Sequence, residues 1–180
     1  MGGKIKVLLV GVGGVPVSLL SSVAGEASRL LPVESEWIVP PERLEPPLDA
    51  IDWDRMQVKA DAINYSLYTA LEDLVSEGVK IIAIVEGDGY IDGMNFVFGL
   101  AFPDRGVASV YTRRLDDSRD KLKERLVKEV LHELGHLLGL KHCRNKRCVM
   151  SYSSDISGVD FKGPRFCEEC TVKLKTVVEG

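Results

Sequence analysis

The residues best suited to metal chemistry are confined to one part of this 180-residue sequence. It contains three histidines and four cysteines, and all seven lie between His132 and Cys170. Imidazole nitrogens and thiolates are ligands that zinc prefers in proteins. Residues of these types scattered through a core would not gather in one segment, so their clustering predicts a metal-binding region.

Two of the histidines are spaced for one face of a helix. Residues His132 to His136 read H-E-x-x-H, and residues four apart lie one turn apart on the same helix face. Both imidazoles can therefore reach a single zinc ion. Glu133 lies beside that position, where we predict that it takes a proton from a zinc-activated water and later delivers it to the leaving amine.

Gly139 and His142 extend this pattern. A glycine can adopt the positive φ that lets the chain turn sharply after a helix, and His142 then returns a third imidazole to the ion. The full string H-E-x-x-H-x-x-G-x-x-H is the signature of the metzincin zinc peptidases. Three protein ligands leave a fourth zinc position for water, as a catalytic site requires. A metal site that has lost catalysis is the alternative interpretation.

The four cysteines form two short pairs. Cys143 and Cys148 give C-x4-C, and Cys167 and Cys170 give C-x2-C. Two such pairs separated by a loop are typical of tetrahedral four-cysteine zinc sites, whose coordination is complete without water. We therefore predict a second, structural zinc that attaches the intervening loop and the C-terminal helix to the histidine helix. Burial of the cysteines as small hydrophobic residues is the alternative.

Met150 and Tyr152, which follow the third histidine in the sequence, fit positions known from metzincins. These enzymes carry a methionine-containing turn beneath the three histidines, and Met150 fits that position. Tyr152 resembles the tyrosine that some metzincins place near zinc to stabilise the oxyanion. A methionine that fills an irregular gap in the core and a purely structural tyrosine are the alternatives.

Together these motifs resemble the archaemetzincin family, whose pattern runs H-E-x-x-H-x-x-G-x-x-H-C-x4-C-x-M and ends, after a loop, in C-x2-C. Every element is present, and Asn95–Gly99 also resembles a segment of the family. The chain departs from the family at Ser151-Tyr152, where an Asn-Phe pair is frequent. The resemblance covers about Met94 to Cys170.

The resemblance implies a compact metzincin-like domain with one catalytic zinc, one structural zinc and peptidase activity. By analogy, it also implies that the predicted strand Gly106–Thr112 is the edge strand above the cleft. Such a strand would pair with an extended peptide or protein substrate by strand addition.

The elements that must position these residues are those of an α/β domain. Mostly apolar runs predict buried strands at Lys4–Val10 and Val79–Val85. Further strands are predicted at Val33–Val39, where apolar residues alternate only weakly, and at Met94–Phe102 and Gly106–Thr112. Apolar residues at helical spacing predict helices at Val17–Leu31, Met56–Ser76, Ser118–Leu138 and Cys167–Val178. Strands that alternate with helices predict a mixed, mostly parallel sheet flanked by helices. We expect one domain spanning residues 1–180, with a long active-site helix.

Composition excludes several other classes of protein. Apolar residues make up 45% and charged residues 28%, which is typical of a globular domain. Lys and Arg number 23 against 27 Asp and Glu, a balance that argues against nucleic-acid binding. No apolar run approaches the roughly 18 residues that cross a membrane. We expect a cytoplasmic protein whose cysteines stay reduced, and the mixed charges of Arg113–Arg125 predict a solvated surface.

The leading hypothesis is therefore a zinc-dependent metallopeptidase. One rival is a zinc-stabilised peptide-binding protein without catalytic activity, which would keep only the cysteine-bound ion firmly. Another is a nucleotide-binding α/β domain, suggested by Gly11, Gly13 and Gly14 after the first strand. The dinucleotide pattern requires a third glycine where Pro16 stands, so this signal is weak.

Overall fold

The mostly parallel sheet expected from the sequence is present in the computed structural model, which describes residues 4–179. The expected domain 1–180 thus includes four residues, 1–3 and 180, that lie outside the described residues.

The elements in chain order are β1 (Ile5–Val12), α1 (Val17–Leu30), β2 (Ser35–Ile38), β3 (Arg43–Leu44), β4 (Ile51–Asp52), β5 (Gln57–Lys59), α2 (Ala60–Ala70), α3 (Glu72–Ser76), β6 (Lys80–Val85), β7 (Gly89–Tyr90), β8 (Gly99–Phe102), β9 (Val107–Tyr111), α4 (Arg119–Leu137), α5 (Ile156–Phe161) and α6 (Glu168–Glu179). Among these helices, none is long and apolar enough to cross a membrane.

The main sheet has the strand order β2-β1-β6-β9-β8, and β3 also pairs with β1. All pairs are parallel except β8 with β9, which is antiparallel. Alternate residues of β1 pack on opposite faces: Val7 and Leu9 contact the layer of α1 and α4, whereas Leu8 and Val10 contact that of α2. Burial on both faces explains the continuous apolar runs of the central strands.

The prediction that Gly106–Thr112 forms the edge strand is wrong. Strand β9, predicted as Gly106–Thr112, lies between β6 and β8, and all five of its residues are buried. The edge position belongs to β8, which is half-buried along its length. The chain forms the edge strand β8 first and then turns back through Gly106 to form β9 between β8 and β6. A pattern of apolar residues does not reveal this order, because it describes burial rather than neighbours.

The predicted strand Met94–Phe102 is regular only over its last four residues. Residues 94–98 form an irregular segment. The side chain of Gln57, in β5, donates to the carbonyl oxygen of Asn95 in this segment at 2.8 Å. The Arg114 guanidinium stacks 4.0 Å from the Phe96 ring centre and pairs with both oxygens of Asp88. These tertiary contacts, which local sequence does not encode, hold the segment in place.

The predicted helix Met56–Ser76 is also divided. Its first residues form β5, because Gln57 and Val58 pair with β4 and Val58 also pairs with β7. The remainder forms α2 and α3, which are separated at Leu71. Sheet pairing here overrides the helical spacing of the apolar residues.

The long helix α4 agrees with its predicted ends to within a residue. Ser118 caps its start by accepting the Lys121 N–H at 3.3 Å. Gly139, at φ +87°, ends it. The N–H groups of Gly139 and Leu140 return to the carbonyl oxygens of His136 and Gly135 at 3.0 and 2.9 Å, the pattern of a Schellman cap.

The charged start of α4 is less solvated than its mixed charges predicted. The Arg125 side chain is only 7% exposed and pairs with Asp160 of α5. Its Nε and Nη2 groups donate to the two carboxylate oxygens, both at 2.8 Å. Helix α5, which we did not predict, thereby attaches the loop after the histidines to α4.

We expect Asp160→Asn to reduce the free energy of unfolding at pH 7 by about 1–2 kcal/mol, since a bond to a buried charge is lost while Asp160 keeps some solvent screening. Arg125 lowers the pKa of Asp160 to about 2, below the unfolded value of about 3.9. The stabilisation is thus complete above pH 4 and disappears as the pH falls towards 2. Urea unfolding should show the difference from wild type shrinking over that range. Glu169→Gln, in an exposed pair with Lys173, should show almost no difference at any pH.

Candidate active site

The last turns of α4 bring the two histidines of the H-E-x-x-H motif to one face, and the turn at Gly139 returns His142 to them. Ligand nitrogens of the three histidines all lie within 4.8 Å of one another. The ring centres of His136 and His142 are 4.8 Å apart. The structure thus assembles the three histidines that the sequence predicted as one group.

Hydrogen bonds from the ring nitrogens determine where the histidines point. Nδ1 of His132 bonds the Val149 carbonyl oxygen, and Nδ1 of His136 bonds that of Leu140, each at 2.8 Å. A carbonyl oxygen only accepts, so each Nδ1 carries the proton and each Nε2 presents a lone pair. The two Nε2 atoms lie 3.1 Å apart, close to the edge of about 3.3 Å expected for a zinc tetrahedron.

The electrostatic state of the histidines also suits a metal. Burial lowers the pKa of His132 well below its usual value, with a further contribution from Lys162, and burial lowers the pKa of His136 and His142 as well. The neutral imidazole is the form that binds a metal ion. Two facing lone pairs repel unless a cation lies between them, so the donor set fits zinc.

Met150 packs against the histidine helix at Gly135, the residue before His136. It is completely buried, and its sulfur occupies the space that a Cβ on Gly135 would need. The Cys143 N–H donates to the Met150 carbonyl oxygen at 2.9 Å, which closes the loop between them. The absence of a side chain at Gly135 therefore lets this turn pack against the helix between His132 and His136.

Glu133 is buried and faces the edge strand. Its carboxylate lies against Gly99 of β8, where an added Cβ would collide with Oε1. Burial raises the pKa of Glu133 well above its usual value, and the neighbouring Glu129 carboxylate adds to the rise. A carboxylate whose pKa moves towards neutrality can both accept and return a proton. The structure thus leaves Glu133 beside the histidine group, as predicted.

The four cysteines also converge. Their sulfur atoms lie within 4.8 Å of one another, and Sγ of Cys143 is 3.7 Å from Sγ of Cys167. Tetrahedral zinc with Zn–S bonds of about 2.3 Å separates sulfurs by about 3.8 Å, far more than the S–S bond of a disulfide. Burial raises the pKa of the Cys148 and Cys170 thiols, so a cation is needed to hold them as thiolates.

A cleft of about 500 Å³ runs past the histidines. One wall is formed by β8 and the irregular segment before it, and the opposite wall by Tyr152–Ser154. Tyr152 is half-exposed, with its ring centre 5.2 Å from that of His142. The cleft can hold an extended chain that passes between the edge strand and the histidine group.

Sequence reasoning missed Glu129 and Lys162, which also line the cleft. Their side chains form a buried ion pair, with Lys162 Nζ 2.8 Å from Glu129 Oε1. The position of Glu129, one helical turn before Glu133, was a usable signal. Lys162 gave none, because it lies in a loop that only tertiary folding brings to the helix.

The glycine-rich turn after β1 is explained without a nucleotide. The Gly14 N–H donates to the Glu86 carboxylate at 2.6 Å, and the same carboxylate oxygen lies where a Cβ on Gly14 would collide. The protein's own anion thus takes the backbone donor that a phosphate would use in a nucleotide-binding turn.

Comparison with known proteins identifies the family. The sequence profile of "Peptidase family M54" matches residues 17–176. An archaemetzincin from Aeropyrum pernix is 49% identical over 175 residues, which cover 97% of this chain and 95% of that protein. The chain belongs to the archaemetzincins of peptidase family M54. It is therefore a zinc metallopeptidase, and the resemblance seen in the motifs is confirmed.

Solved structures of archaemetzincins and related peptidases share the fold. A crystal structure described as a zinc-dependent peptidase from Methanocorpusculum labreanum superimposes with a TM-score of 0.84 at 31% identity, covering 93% of this chain and 99% of that one. An archaemetzincin from Methanopyrus kandleri gives 0.83 at 33% identity, covering 98% and 97%. The expected metzincin-like α/β fold is thus confirmed.

We expect Gly99→Ala to impair peptide cleavage by about 10²- to 10⁴-fold, the usual contribution of a general base. The new Cβ would displace the Glu133 carboxylate, while the fold should tolerate alanine because Gly99 does not have a positive φ. Cleavage rates and thermal unfolding together would check this. Gly25→Ala on α1, where a Cβ meets no atom within 4 Å, is the matched control. Full activity in Gly99→Ala would show that Glu133 is not restricted by β8.

Proposed function

We propose that His132, His136 and His142 hold the catalytic zinc and that Glu133 is the general base in peptide-bond hydrolysis. The observation that carries this assignment is the pair of Nε2 atoms 3.1 Å apart, each aimed by a hydrogen bond from its Nδ1 to a backbone carbonyl oxygen. A set of histidines oriented in this way needs no rearrangement to receive an ion.

The chain's own residues handle the proton. Bound zinc would supply Lewis-acid polarisation of the scissile carbonyl and would lower the pKa of water. The Glu133 carboxylate accepts a proton from the attacking water as the new C–O bond forms. It then donates that proton to the amide nitrogen as the C–N bond breaks, which releases an amine and a carboxylic acid that loses its remaining proton to solvent. Tyr152, at the rim beside His142, is the candidate for stabilising the oxyanion.

We assign substrate alignment to β8 in place of the strand expected from the sequence. Among the described residues β8 pairs only with β9, so its other edge has backbone groups available for an extended peptide. Gly99, at the start of this strand, touches the Glu133 carboxylate. A peptide or protein chain paired along β8 would therefore pass the proposed base.

The proposed structural zinc is held by Cys143, Cys148, Cys167 and Cys170. The first two belong to the loop after His142 and the last lies in α6, so the ion joins both to the end of the histidine helix. His142 is bonded covalently to Cys143, and this zinc would thereby limit the movement of a ligand of the other. We also propose a cytoplasmic location, supported by four free cysteines, which cell fractionation would test.

We expect Glu133→Gln to lower peptide cleavage by at least about 10²-fold because the amide cannot act as a base. Zinc should remain at two ions per chain, measured by atomic absorption on the same samples. Glu169→Gln, on the surface of α6, serves as the control for glutamate removal. Cleavage of a peptide library at the wild-type rate by Glu133→Gln would contradict the mechanism.

The two zinc ions should leave in order under a chelator. Three neutral ligands hold an ion less firmly than four thiolates, so the first zinc lost should abolish activity with little change in Tm. Loss of the second should lower Tm, because structural zinc contributes directly to folding. Cys148→Ser should bind one zinc and unfold at a lower temperature. A wild-type protein that binds a single zinc and cleaves no peptide would instead favour the zinc-stabilised binding protein.

A further inference from the structure

The cleft contains a second group of polar side chains that the proposed mechanism does not use. Lys162 Nζ lies 2.8 Å from Glu129 Oε1, and the side chains are only 1% and 4% exposed. Both residues nevertheless line the cleft, next to His132 and Glu133. A buried ion pair is costly to desolvate, and its position inside a substrate cleft points to a role in binding.

Both members of the pair have unused hydrogen-bonding capacity. An ammonium has three N–H donors. In the part of the chain that the structure describes, the acceptors of Lys162 Nζ are Glu129, at 2.8 Å, and the Ser151 carbonyl oxygen, at 3.5 Å. The His132 Nδ1, also at 3.5 Å, donates its own proton to Val149 and so does not accept another. Within the described residues Glu129 Oε1 makes no hydrogen bond of good geometry.

We propose that this recess, formed by Glu129 and Lys162, binds a neutral polar side chain next to the scissile bond, best matched by the carboxamide of glutamine or asparagine. The inference rests on the proposed peptidase function. A carboxamide oxygen accepts from the Lys162 ammonium while its NH₂ group donates to the Glu129 carboxylate. One planar group thereby occupies an N–H of Lys162 and a lone pair of the Glu129 carboxylate that their ion pair leaves unused.

Side chains of other chemistry fit this recess less well. A carboxylate would meet the Glu129 charge, and an ammonium would meet that of Lys162. An apolar side chain would exclude water from the Glu129 carboxylate and the Lys162 ammonium without replacing the hydrogen bonds that water makes to them. Binding sites with buried polar groups reject ligands that lack the matching polar group for this reason. The charges of the pair cancel, so the recess selects hydrogen bonding rather than charge.

Four peptides that differ only in one residue beside the scissile bond test the inference. Glutamine, glutamate, methionine and lysine have similar lengths and differ in chemistry, and each is placed on either side of the bond in turn. We expect kcat/KM for glutamine to exceed that for the other three by about 10- to 200-fold on one side of the bond. Binding of the same peptides to zinc-loaded Glu133→Gln, in which cleavage should be at least about 10²-fold slower, should show the same order.

A double variant separates the recess from the rest of the cleft. Replacing both partners, as Glu129→Leu with Lys162→Met, leaves no unpaired buried charge and is the change that a fold tolerates best. It should reverse the order, so that methionine is preferred over glutamine. Arg125→Met with Asp160→Leu removes another ion pair, between α4 and α5, whose residues do not line the cleft. This control should keep the preference for glutamine.

The outcomes distinguish the two proposals. If wild type cleaves the peptides but methionine or glutamate equals glutamine, the recess is not a carboxamide site, whereas the peptidase mechanism stands. The same holds if the folded double variant keeps the wild-type order. If zinc-loaded wild type cleaves nothing, the peptidase mechanism fails, and the binding order on Glu133→Gln still decides the chemistry of the recess.

Discussion

The arrangement of the active site depends on where helix α4 stops. His136 anchors its ring on the carbonyl oxygen of Leu140, which is available only because Gly139 turns the chain at φ +87°. The same turn reverses the chain so that His142 returns to the other two histidines. A helix that continued for another turn would bury the Leu140 carbonyl in its own hydrogen bonds and carry His142 away.

The loop that contains Val149 and Met150, and the edge strand β8, also hold the end of the histidine helix in place. The carbonyl oxygen that orients His132 comes from Val149, the residue before Met150, so one loop supplies both a hydrogen bond and a packing surface. Two glycines make this possible, since Gly135 admits the methionine and Gly99 admits the Glu133 carboxylate. Helix α4 and the edge strand β8 thus pack closely at Glu133, the proposed general base.

Buried ion pairs hold the loop after the histidines together with the fully buried apolar side chains of Val149, Met150 and Val159. Arg125 with Asp160 and Glu129 with Lys162 both link α4 to the segment around α5, and the four cysteines link the same region to α6. Each link requires groups that are expensive to bury alone. Together they restrict one wall of the cleft, whereas the other wall is the half-buried edge strand β8.

The sequence by itself determined the zinc chemistry, the ends of α4 and the class of fold. The histidine motif and the ends of α4 depend on spacings within one helix and the turn after it, where a residue's neighbours are those of the chain. The cysteine pairs depend on two short spacings, and the class of fold follows from the order of strands and helices along the chain. Only the tertiary structure decided that β8 rather than β9 forms the edge, that Gln57 begins a strand, and that Lys162 lies beside Glu129. A local pattern of apolar residues shows that a residue is buried, but it does not show which residues pack against it. Pairings between distant segments therefore cannot be read from such a pattern.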